Sequence, residues 1–414
     1  MFILVDCNNF YVSCEKLFNP KLKNKPVVVL SNNDGCIISR SNEAKKLNVL
    51  MGDPIFKYKH LIENNILEVF SSNFTLYSDI SFRIMQTLES FGFEMEIYSV
   101  DEAFLEIKNY NFDIEKLLIN IRKKIFKWVG IPVSIGCAKT KTLAKIASDL
   151  AKKENGYKIL LNKESIDLTL KNISAIDIWG IGSACFKKLK YLQIFNGYDY
   201  KYADENIIKK NLGINGLKTF LELNEIVCFS LQNSFENRKS VCVSRSFSMK
   251  IKNIEDLKEK LALFASMAAS KLRKYKLKTD SITIFINTSF HSKDPFYSAS
   301  SLIKIPIQTS FTPDIIKYSF LALNKIYKDG FLYKKAGIIL NNLIDEKVIQ
   351  SDFFEKNITD TKNRLMKTMD LINFKANKKV LFFLSEGIEK NFHHSQNNKS
   401  KKFTTNFEDI LKVD

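Results

Sequence analysis

The ten residues Tyr98–Ile107, YSVDEAFLEI, constrain the fold of this chain more than any other stretch. They alternate as a half-buried strand does, yet two adjacent acids, Asp101 and Glu102, interrupt the apolar run. Neighbouring carboxylates repel each other and resist leaving water. The segment from Glu96 to Ile107 is predicted to form two strands that meet near the acidic pair, or else one bulged strand. Both arrangements place the acids at one edge of a sheet, where they are either ligands or ordinary turn residues.

A divalent cation is the simplest stabiliser of such an acidic pair, because hard oxygen ligands suit Mg²⁺. Asp6 ends the predicted first strand, FILVD, and supplies a third acid. If this strand pairs beside the strands of Tyr98–Ile107, all three carboxylates converge. Three carboxylates without a histidine or cysteine ligand suit two-metal phosphoryl transfer. One ion would activate an attacking 3′-hydroxyl, and the other would hold the triphosphate and stabilise the leaving pyrophosphate.

Hydrophobic spacing predicts an α+β organisation for the first part of the chain, up to about Ala151. Helices are predicted over Ser78–Phe91, after an Asp113 cap with Trp128 on the apolar face, and over Thr142–Lys153. The predicted strands are Ile3–Val5, Val27–Leu30, Cys36–Ser39, Glu96–Val100, Ala103–Ile107 and Pro132–Ala138. Their order predicts an antiparallel sheet with helices on one face. A mostly helical stretch follows, and strands return from Arg238 to Ile344 as a second α+β domain.

Length and charge bound the class of protein. A chain of 414 residues is expected to form about two to four domains. The net charge is +18, and Phe235–Asp345 contains 19 Lys/Arg against 9 Asp/Glu, a local excess of +10. This excess indicates either a nucleic-acid partner or a lysine-rich solvated surface.

The N-terminus and the cysteines indicate where the protein works. No apolar run approaches the roughly 18–20 residues of a membrane helix. The opening residues have no basic region, so they predict a buried strand and not a signal peptide. Seven scattered cysteines without a C-x-x-C pair predict reduced thiols in the cytosol and argue against a zinc site.

Several segments resemble the Y-family, the translesion DNA polymerases. YSVDEAFLEI is similar to the family's S-[IV]-D-E-A motif, and MFILVDCNNFYVSCE is similar to its opening motif. KPVVVLSNNDGCIISRSNEAKKLNVLMGDPIF resembles the fingers segment, and VSIGCAKTKTLAKIASDLAKK resembles the last palm strand and helix. The SNNDGC and MGDP strings and the ending RLMKTMDLINFK…TTNFEDILKV resemble the UmuC branch, the catalytic subunits of bacterial DNA polymerase V. The resemblance covers essentially the whole chain.

The resemblance implies a multidomain α+β fold, a right-hand polymerase with a ferredoxin-like palm and small fingers. A helical thumb with a helix-hairpin-helix and an α+β little finger domain would complete it. The implied domains are palm and fingers at 1–160 with the fingers at about 24–76, thumb at 161–234, little finger at 235–345, and a C-terminal region at 346–414.

The resemblance also implies roles for the residues around the nucleotide. Asp6 and Asp101 match the metal-ligating aspartates, Glu102 matches the neighbouring catalytic acid, and the Cys7 carbonyl matches a further ligand. Tyr11 matches the sugar gate, an aromatic ring that leaves no room for a 2′-hydroxyl. Phe10 would pack beside it at the incoming nucleotide.

Basic residues are implied at the triphosphate. Lys45 and Lys152 match these positions, although many relatives carry Arg where this chain has Lys45 and an aromatic residue where it has Asn42. Arg40 is a nearby substitute for Lys45. The adjacent Lys153 leaves the assignment of Lys152 open by one position.

The remaining implied sites bind DNA and a sliding clamp. Gly180 and Gly182 lie in a predicted helix-hairpin-helix whose backbone N–H groups would approach a DNA phosphate. The other predicted DNA-binding residues are Lys187, Lys250, Lys252, Lys271 and Lys274. The predicted clamp-binding residues are Gln350, Phe353 and Phe354, in a peptide where a serine replaces the usual leucine. The alternative for that peptide is a local turn with two buried phenylalanines.

Together these features predict a DNA-directed DNA polymerase for error-prone translesion synthesis in an SOS-type DNA damage response. Its expected partners are primer–template DNA, dNTPs, a sliding clamp, a processed UmuD dimer and RecA, with no membrane, in the cytoplasm at the nucleoid. One alternative is a different palm-type nucleotidyltransferase or cyclase. The other is a non-catalytic DNA-binding repair scaffold that retains the fold, against which the intact carboxylates and Tyr11 argue.

Overall fold

The computed structural model describes residues 1–108, 111–232, 238–348, 356–376, 378–388 and 396–410. These form two compact units, one made of Met1–Ser234 with Ser395–Asp414 and the other of Phe235–His394. The strands are β1 (Phe2–Cys7), β2 (Val27–Leu30), β3 (Ile37–Arg40), β4 (Glu68–Ser71), β5 (Glu94–Ile97), β6 (Glu102–Glu106), β7 (Val133–Ala138), β8 (Tyr157–Leu160), β9 (Val241–Ile251), β10 (Leu277–Thr288), β11 (Ser298–Thr309), β12 (Tyr333–Asn341) and β13 (Ile344–Asp345). The helices are α1 (Phe10–Phe18), α2 (Asn42–Lys46), α3 (Lys59–Glu63), α4 (Phe74–Glu89), α5 (Ile114–Val129), α6 (Lys141–Ala151), α7 (Lys163–Lys171), α8 (Ser183–Tyr191), α9 (Gly197–Lys201), α10 (Glu205–Leu223), α11 (Ile254–Lys274), α12 (Thr312–Ile326) and α13 (Lys356–Lys375).

The main sheet of the first unit has the strand order β5-β6-β1-β7-β8. All its neighbours are antiparallel except β7 and β8, which are parallel. All six residues of β1 are buried at the centre of the sheet. The structure therefore confirms a mainly antiparallel sheet in an α+β unit.

Helices cover both faces of this sheet, so the prediction of helices on one face was wrong. Ile3 and Val5 pack in the core that contains residues of α4 and α5. Phe2 and Leu4 pack in a second core with residues of α6 and of α7–α10. The reason lies in the continuous apolar run of β1, which is typical of a strand covered on both sides.

Gly136 on β7 lets α6 approach the sheet closely. A Cβ at this position would lie 2.1 Å from the carbonyl oxygen of Ala144 and 2.2 Å from the amide nitrogen of Ser148, both on α6. Glycine is therefore required here for packing, and α6 is held against the middle of the sheet.

On the other face, α5 begins where the sequence predicted. The Asp113 side chain accepts a hydrogen bond of 3.2 Å from the Lys116 amide. The buried residues of α5 are Leu118, Ile121, Ile125 and Val129. Trp128 does not join them, because it is 60% exposed with the Lys124 ammonium 4.5 Å from its ring. Its predicted place on the apolar face was wrong by one position, about 100° around the helix.

A smaller sheet in the first unit has the order β3-β2-β4, with β2 and β3 antiparallel and β2 and β4 parallel. It has its own core around Val28, Leu30, Ile37, Val49 and Leu67. Chain order inserts this sheet between β1 and β5 of the main sheet.

The second unit is built on an antiparallel sheet of order β11-β10-β12-β9, with β13 paired to β10. Ile282, Ile284 and Ile286 of β10 pack in one core with residues of α11 and α12. This confirms the second α+β domain. The unit also includes α13, where Asp370 forms an ion pair of 2.6 Å with Arg273 of α11. Among the described helices, none is long and apolar enough to cross a membrane.

Candidate active site

The acidic pair of the sequence lies at the start of β6. The amides of Tyr98 and Ser99 donate to the Glu102 carbonyl at 3.0 and 3.1 Å, so residues 98–101 form a turn between β5 and β6. The two-strand alternative is therefore confirmed over the single bulged strand. Asp101 lies in the turn, where its side chain accepts a 2.7 Å hydrogen bond from the Ser99 hydroxyl.

Asp6 joins this pair through the pairing of β1 with β6. Asp6 lies opposite Glu102 in the antiparallel register, and the Cys7 amide donates to the Asp101 carbonyl at 2.9 Å. Burial raises the pKa of the Cys7 thiol, and the charges of Asp6, Asp101 and Glu102 raise it further. The structure thus brings the three predicted acids together around Cys7.

Two lysines of α6 and its end neutralise these acids. Lys152 directly follows α6, and its ammonium lies 2.8 Å from Asp6 Oδ2. Lys145 on α6 lies 2.5 Å from Glu102 Oε1. Burial raises the pKa of Asp6 to about 7, with Lys152 acting to lower it and Glu102 to raise it. The ion pairs therefore oppose the desolvation that would otherwise protonate Asp6.

Sequence reasoning missed Lys145, although a signal was present. Lys145 and Lys152 are seven residues apart, a spacing that returns to the same helix face after two turns. Lys153, the other candidate at this position, is exposed. The geometry therefore favours Lys152 as the lysine nearest the carboxylates.

The donor set fits a hard divalent cation. Carboxylate oxygens are the ligands that such ions prefer, and three carboxyl groups converge here. Within the described residues, no group of three His, Cys, Asp or Glu side chains is already arranged to hold a metal. Lys152 and Lys145 contact the oxygens that a cation would need, so cation binding requires the lysines to give up these contacts.

Tyr11 borders the carboxylates on α1. Its ring stacks on Tyr77 with a centroid distance of 4.7 Å and an interplanar angle of 21°. Phe74 and Phe10 contact the ring at 5.8 and 5.7 Å. Burial raises the pKa of the half-buried Tyr11, and the charge of Asp101 adds to this. Tyr11 is therefore held within electrostatic range of the acidic site.

Lys45 and Arg40 extend the positive charge beside Lys152. Lys45 donates to Asn42 Oδ1 at 3.2 Å. Burial lowers the pKa of Lys45, and the cations of Arg40 and Lys152 lower it further while Asp6 opposes them. Arg40 Nη1 donates to the Val49 carbonyl, and its buried Nε has no partner among the described residues. Three cations thus lie near Asp6, where an anionic group would be attracted.

The predicted glycine turn lies in the same unit. Gly180 has a φ of 89°, a left-handed conformation that favours glycine, and Gly182 is the N-cap of α8. A 3₁₀ turn at Ala175–Asp177 stands where the first helix of a helix-hairpin-helix was expected. Lys187 is exposed on α8.

The predicted DNA-binding lysines of the second unit differ in their surroundings. Lys250 forms an ion pair with Asp294, whereas Lys252 is exposed. Lys271 and Lys274 are exposed on α11 and line a cleft of about 1290 Å³. Further lysines that line the cleft are Lys276, Lys278, Lys347, Lys367, Lys378 and Lys379. The predicted clamp-binding residues Gln350, Phe353 and Phe354 lie outside the described residues.

The fold and the acidic site define a right-hand DNA polymerase of the Y-family. The Y-family DNA polymerase chimera Dbh-Dpo4(243-245)-Dbh has a TM-score of 0.69 and 24% identity, over 83% of this chain and 99% of that chain. The insertion ternary complex of Dbh DNA polymerase has a TM-score of 0.54 and 23% identity over the same shares. At this identity the likeness shows the fold, and it confirms the predicted architecture.

Sequence relatives then give the family. The impB/mucB/samB family matches residues 5–149, its C-terminal domain matches 238–353, and a domain of unknown function (DUF4113) matches 363–413. Protein UmuC of Salmonella typhimurium is 35% identical over 421 residues, 100% of both chains. DNA polymerase IV of Saccharolobus solfataricus is 32% identical over 229 residues, 53% of this chain and 64% of that protein. The chain belongs to the impB/mucB/samB family. It is a translesion DNA polymerase, an activity that needs a divalent metal.

Proposed function

We propose that this polymerase extends a primer opposite damaged template bases with Asp6, Asp101 and Glu102 as its catalytic carboxylates. The observation that carries the proposal is the direct pairing of Asp6 with Glu102 across β1 and β6, beside Asp101. Two Mg²⁺ ions held by these acids and the Cys7 carbonyl would supply activation of the primer 3′-hydroxyl and charge neutralisation at the triphosphate.

The lysines have two partners in this proposal. Before substrate binds, Lys152 and Lys145 neutralise Asp6 and Glu102. When a dNTP binds, Lys152 exchanges its carboxylate for the triphosphate, and Lys45 and Arg40 add positive charge on the same side. Such an exchange keeps the buried acids paired at every stage, which avoids the cost of an unpaired buried charge.

Tyr11 selects the sugar in this proposal. Its ring is fixed by stacking on Tyr77 and by edge contacts with Phe74 and Phe10. A fixed ring beneath C2′ leaves no room for a 2′-hydroxyl, so dNTPs are preferred over ribonucleotides. Phe10, buried next to it, supports the same pocket.

DNA contacts are assigned to three domains. The fingers take about 24–76 within the palm region 1–160, the thumb 161–234 and the little finger 235–345. Gly180 and Gly182 would present amides to a phosphate, with Lys187 beside them. The little finger lysines Lys250, Lys252, Lys271 and Lys274 would contact the backbone and set the salt dependence.

The family resemblance supports the cellular setting. We propose that the enzyme acts in an SOS-type damage response at the nucleoid in the cytoplasm, with a processed UmuD dimer and RecA. Gln350, Phe353 and Phe354 would bind the sliding clamp, and 346–414 would form the C-terminal region that contains this peptide.

Primer extension on a plain template and on an abasic template, with Mg²⁺, tests the proposal. The wild type is expected to add nucleotides and Asp101→Ala to add none, while both bind DNA equally. DNA binding without nucleotide addition by the wild type, with the partners present, would instead favour the non-catalytic scaffold. Tyr11→Ala is expected to admit ribonucleotides, and unchanged sugar discrimination would remove Tyr11 from the gate role.

A further inference from the structure

Residues 396–410, here called the clasp, pack against the first unit far from their neighbours in sequence. The Ser71 amide donates to the Asn398 carbonyl at 3.0 Å, and the Asn398 amide donates to Ser71 Oγ at 3.1 Å. Phe403 stacks on Phe18 with a centroid distance of 4.8 Å. The clasp is therefore joined to the end of β4 and to the end of α1.

Asn73 links the clasp to α4. Its amide nitrogen lies 2.9 Å from Ser400 Oγ, 3.2 Å from the Ser400 carbonyl and 3.1 Å from the Lys401 carbonyl. Its side-chain oxygen also caps α4, the helix that carries Tyr77. Asn73 is completely buried, so these contacts are shielded from competing water.

Glu15 is the point where the clasp meets the nucleotide side of the site. Its carboxylate is 2% exposed, and one oxygen accepts hydrogen bonds from Tyr77 at 2.6 Å and from Ser400 Oγ at 3.0 Å. A buried carboxylate is costly unless such donors satisfy it. Glu15 therefore holds the Tyr77 hydroxyl and the Ser400 hydroxyl together.

Tyr77 transmits this restraint to Tyr11. The Tyr77 ring is fully buried, and its face stacks on the Tyr11 ring. The sequence of contacts runs from Ser400 through Glu15 and Tyr77 to Tyr11. No part of this route touches the three catalytic carboxylates directly.

We propose that the clasp sets the position of the sugar gate, with Ser400 and Glu15 as positioning residues for Tyr11. The inference rests on the gate role proposed for Tyr11. Loss of the Ser400 hydroxyl leaves the Glu15 carboxylate with Tyr77 as its remaining side-chain donor, so the Tyr77 ring and the stacked Tyr11 ring shift. The matching domain of unknown function thereby gains a role in nucleotide selection by this chain.

The test uses the full-length chain and compares kcat/KM for a dNTP with that for the matching ribonucleotide. Ser400→Ala is expected to lower this ratio roughly 3- to 10-fold, the size expected when a hydrogen bond to a buried charge is lost in part. Tyr77→Phe removes the other bond to Glu15 and is expected to have a similar effect. The double variant is expected to fall less than the product of the two single effects, because both act through Glu15.

Matched controls separate positioning from folding. Thr405→Ala removes an exposed hydroxyl elsewhere in the clasp and is expected to leave the ratio unchanged. Ser400→Thr keeps the hydroxyl and is expected to retain discrimination. Should Ser400→Ala fold poorly, Tyr77→Phe provides the same test without altering the clasp.

The outcomes distinguish this inference from the function proposed above. If Tyr11→Ala loses discrimination while Ser400→Ala and Tyr77→Phe keep it, the clasp has no role in the gate and the proposed function stands. If Tyr11→Ala keeps discrimination, both the gate and the clasp inference fail, although loss of activity in Asp101→Ala would still support the catalytic carboxylates.

Discussion

Asp6 and Glu102 face each other directly across the antiparallel strands β1 and β6. Directly opposed residues in such a ladder have Cα atoms about 4.5–5.5 Å apart. Each carboxylate is matched by a lysine of α6 or its end, Lys152 at 2.8 Å and Lys145 at 2.5 Å. The acids are retained in a strand because neighbouring cations compensate for their burial, and because the turn at residues 98–101 holds Asp101 beside them.

Glu102→Gln is expected to lower kcat for nucleotide addition by at least about 10²-fold, since an amide cannot supply the negative charge of this carboxylate. Glu106→Gln is the matched control, because Glu106 lies four residues further along β6 on the same face of the strand. Single-turnover primer extension measures both. Equal rates for the two variants would exclude a catalytic role for Glu102.

Lys152→Ala is expected to raise KM for the dNTP about tenfold, because a cation beside Asp6 and the triphosphate is lost. The neighbouring Lys153→Ala is the control and is expected to change KM less than about twofold, since exposed charges contribute little. Steady-state incorporation at varied dNTP concentration gives both values. A larger effect from Lys153 would reverse the assignment made from the geometry.

Removal of Lys271 and Lys274 together is expected to reduce the slope of log K against log salt for DNA binding by about 1.8, or about 0.9 for each phosphate contact. Lys258→Ala is the control on the same helix, because Lys258 is already paired with Glu255 at 2.7 Å. Fluorescence anisotropy at several salt concentrations measures the slope. An unchanged slope would show that these exposed lysines do not contact the DNA backbone.

Glu222→Ala is expected to destabilise the first unit by about 3 kcal/mol or more, the range seen when a buried hydrogen-bonded charge is deleted. Glu222 is completely buried, and its carboxylate accepts from Thr142 N and Oγ1 at 2.8 and 2.7 Å and from the amides of Cys228 and Phe229 at 3.1 and 2.9 Å. These bonds join α10 to the start of α6. Thermal unfolding compares it with Glu205→Ala, an exposed acid on α10. Similar midpoints for the two variants would contradict the prediction.

Glu15 is expected to make stability depend on pH. Burial raises its pKa, while hydrogen bonds from Tyr77 and Ser400 lower it, and the net shift is upward from 4.5. The folded state therefore binds the proton more tightly than the unfolded state. The resulting stability is present below pH 4.5 and is lost as pH rises through the folded pKa. Relative to Glu15→Gln, the wild type should lose unfolding midpoint temperature across this range, and parallel curves would contradict the assignment.

Local patterns predicted much of the fold because they depend on neighbouring residues. Asp113 was identified as the cap of α5, and the structure confirms the hydrogen bond. The strands around the acidic pair were also identified, since alternation reports burial on one face of a strand. Trp128 was misplaced because one residue along a helix moves a side chain by about 100°, so a single error changes its environment.

The sequence by itself determined which residues carry the chemistry: three acids at strand ends, an aromatic residue after the first strand, and the motifs that resemble the Y-family. Only the tertiary structure decided that α6 covers the second face of the sheet, that Lys145 pairs with Glu102, and that Ser400 meets Glu15, 385 residues away in the chain. Periodicity and capping act over a few residues and leave a record in the sequence. Contacts between distant segments depend on how whole faces pack, and no local pattern specifies them.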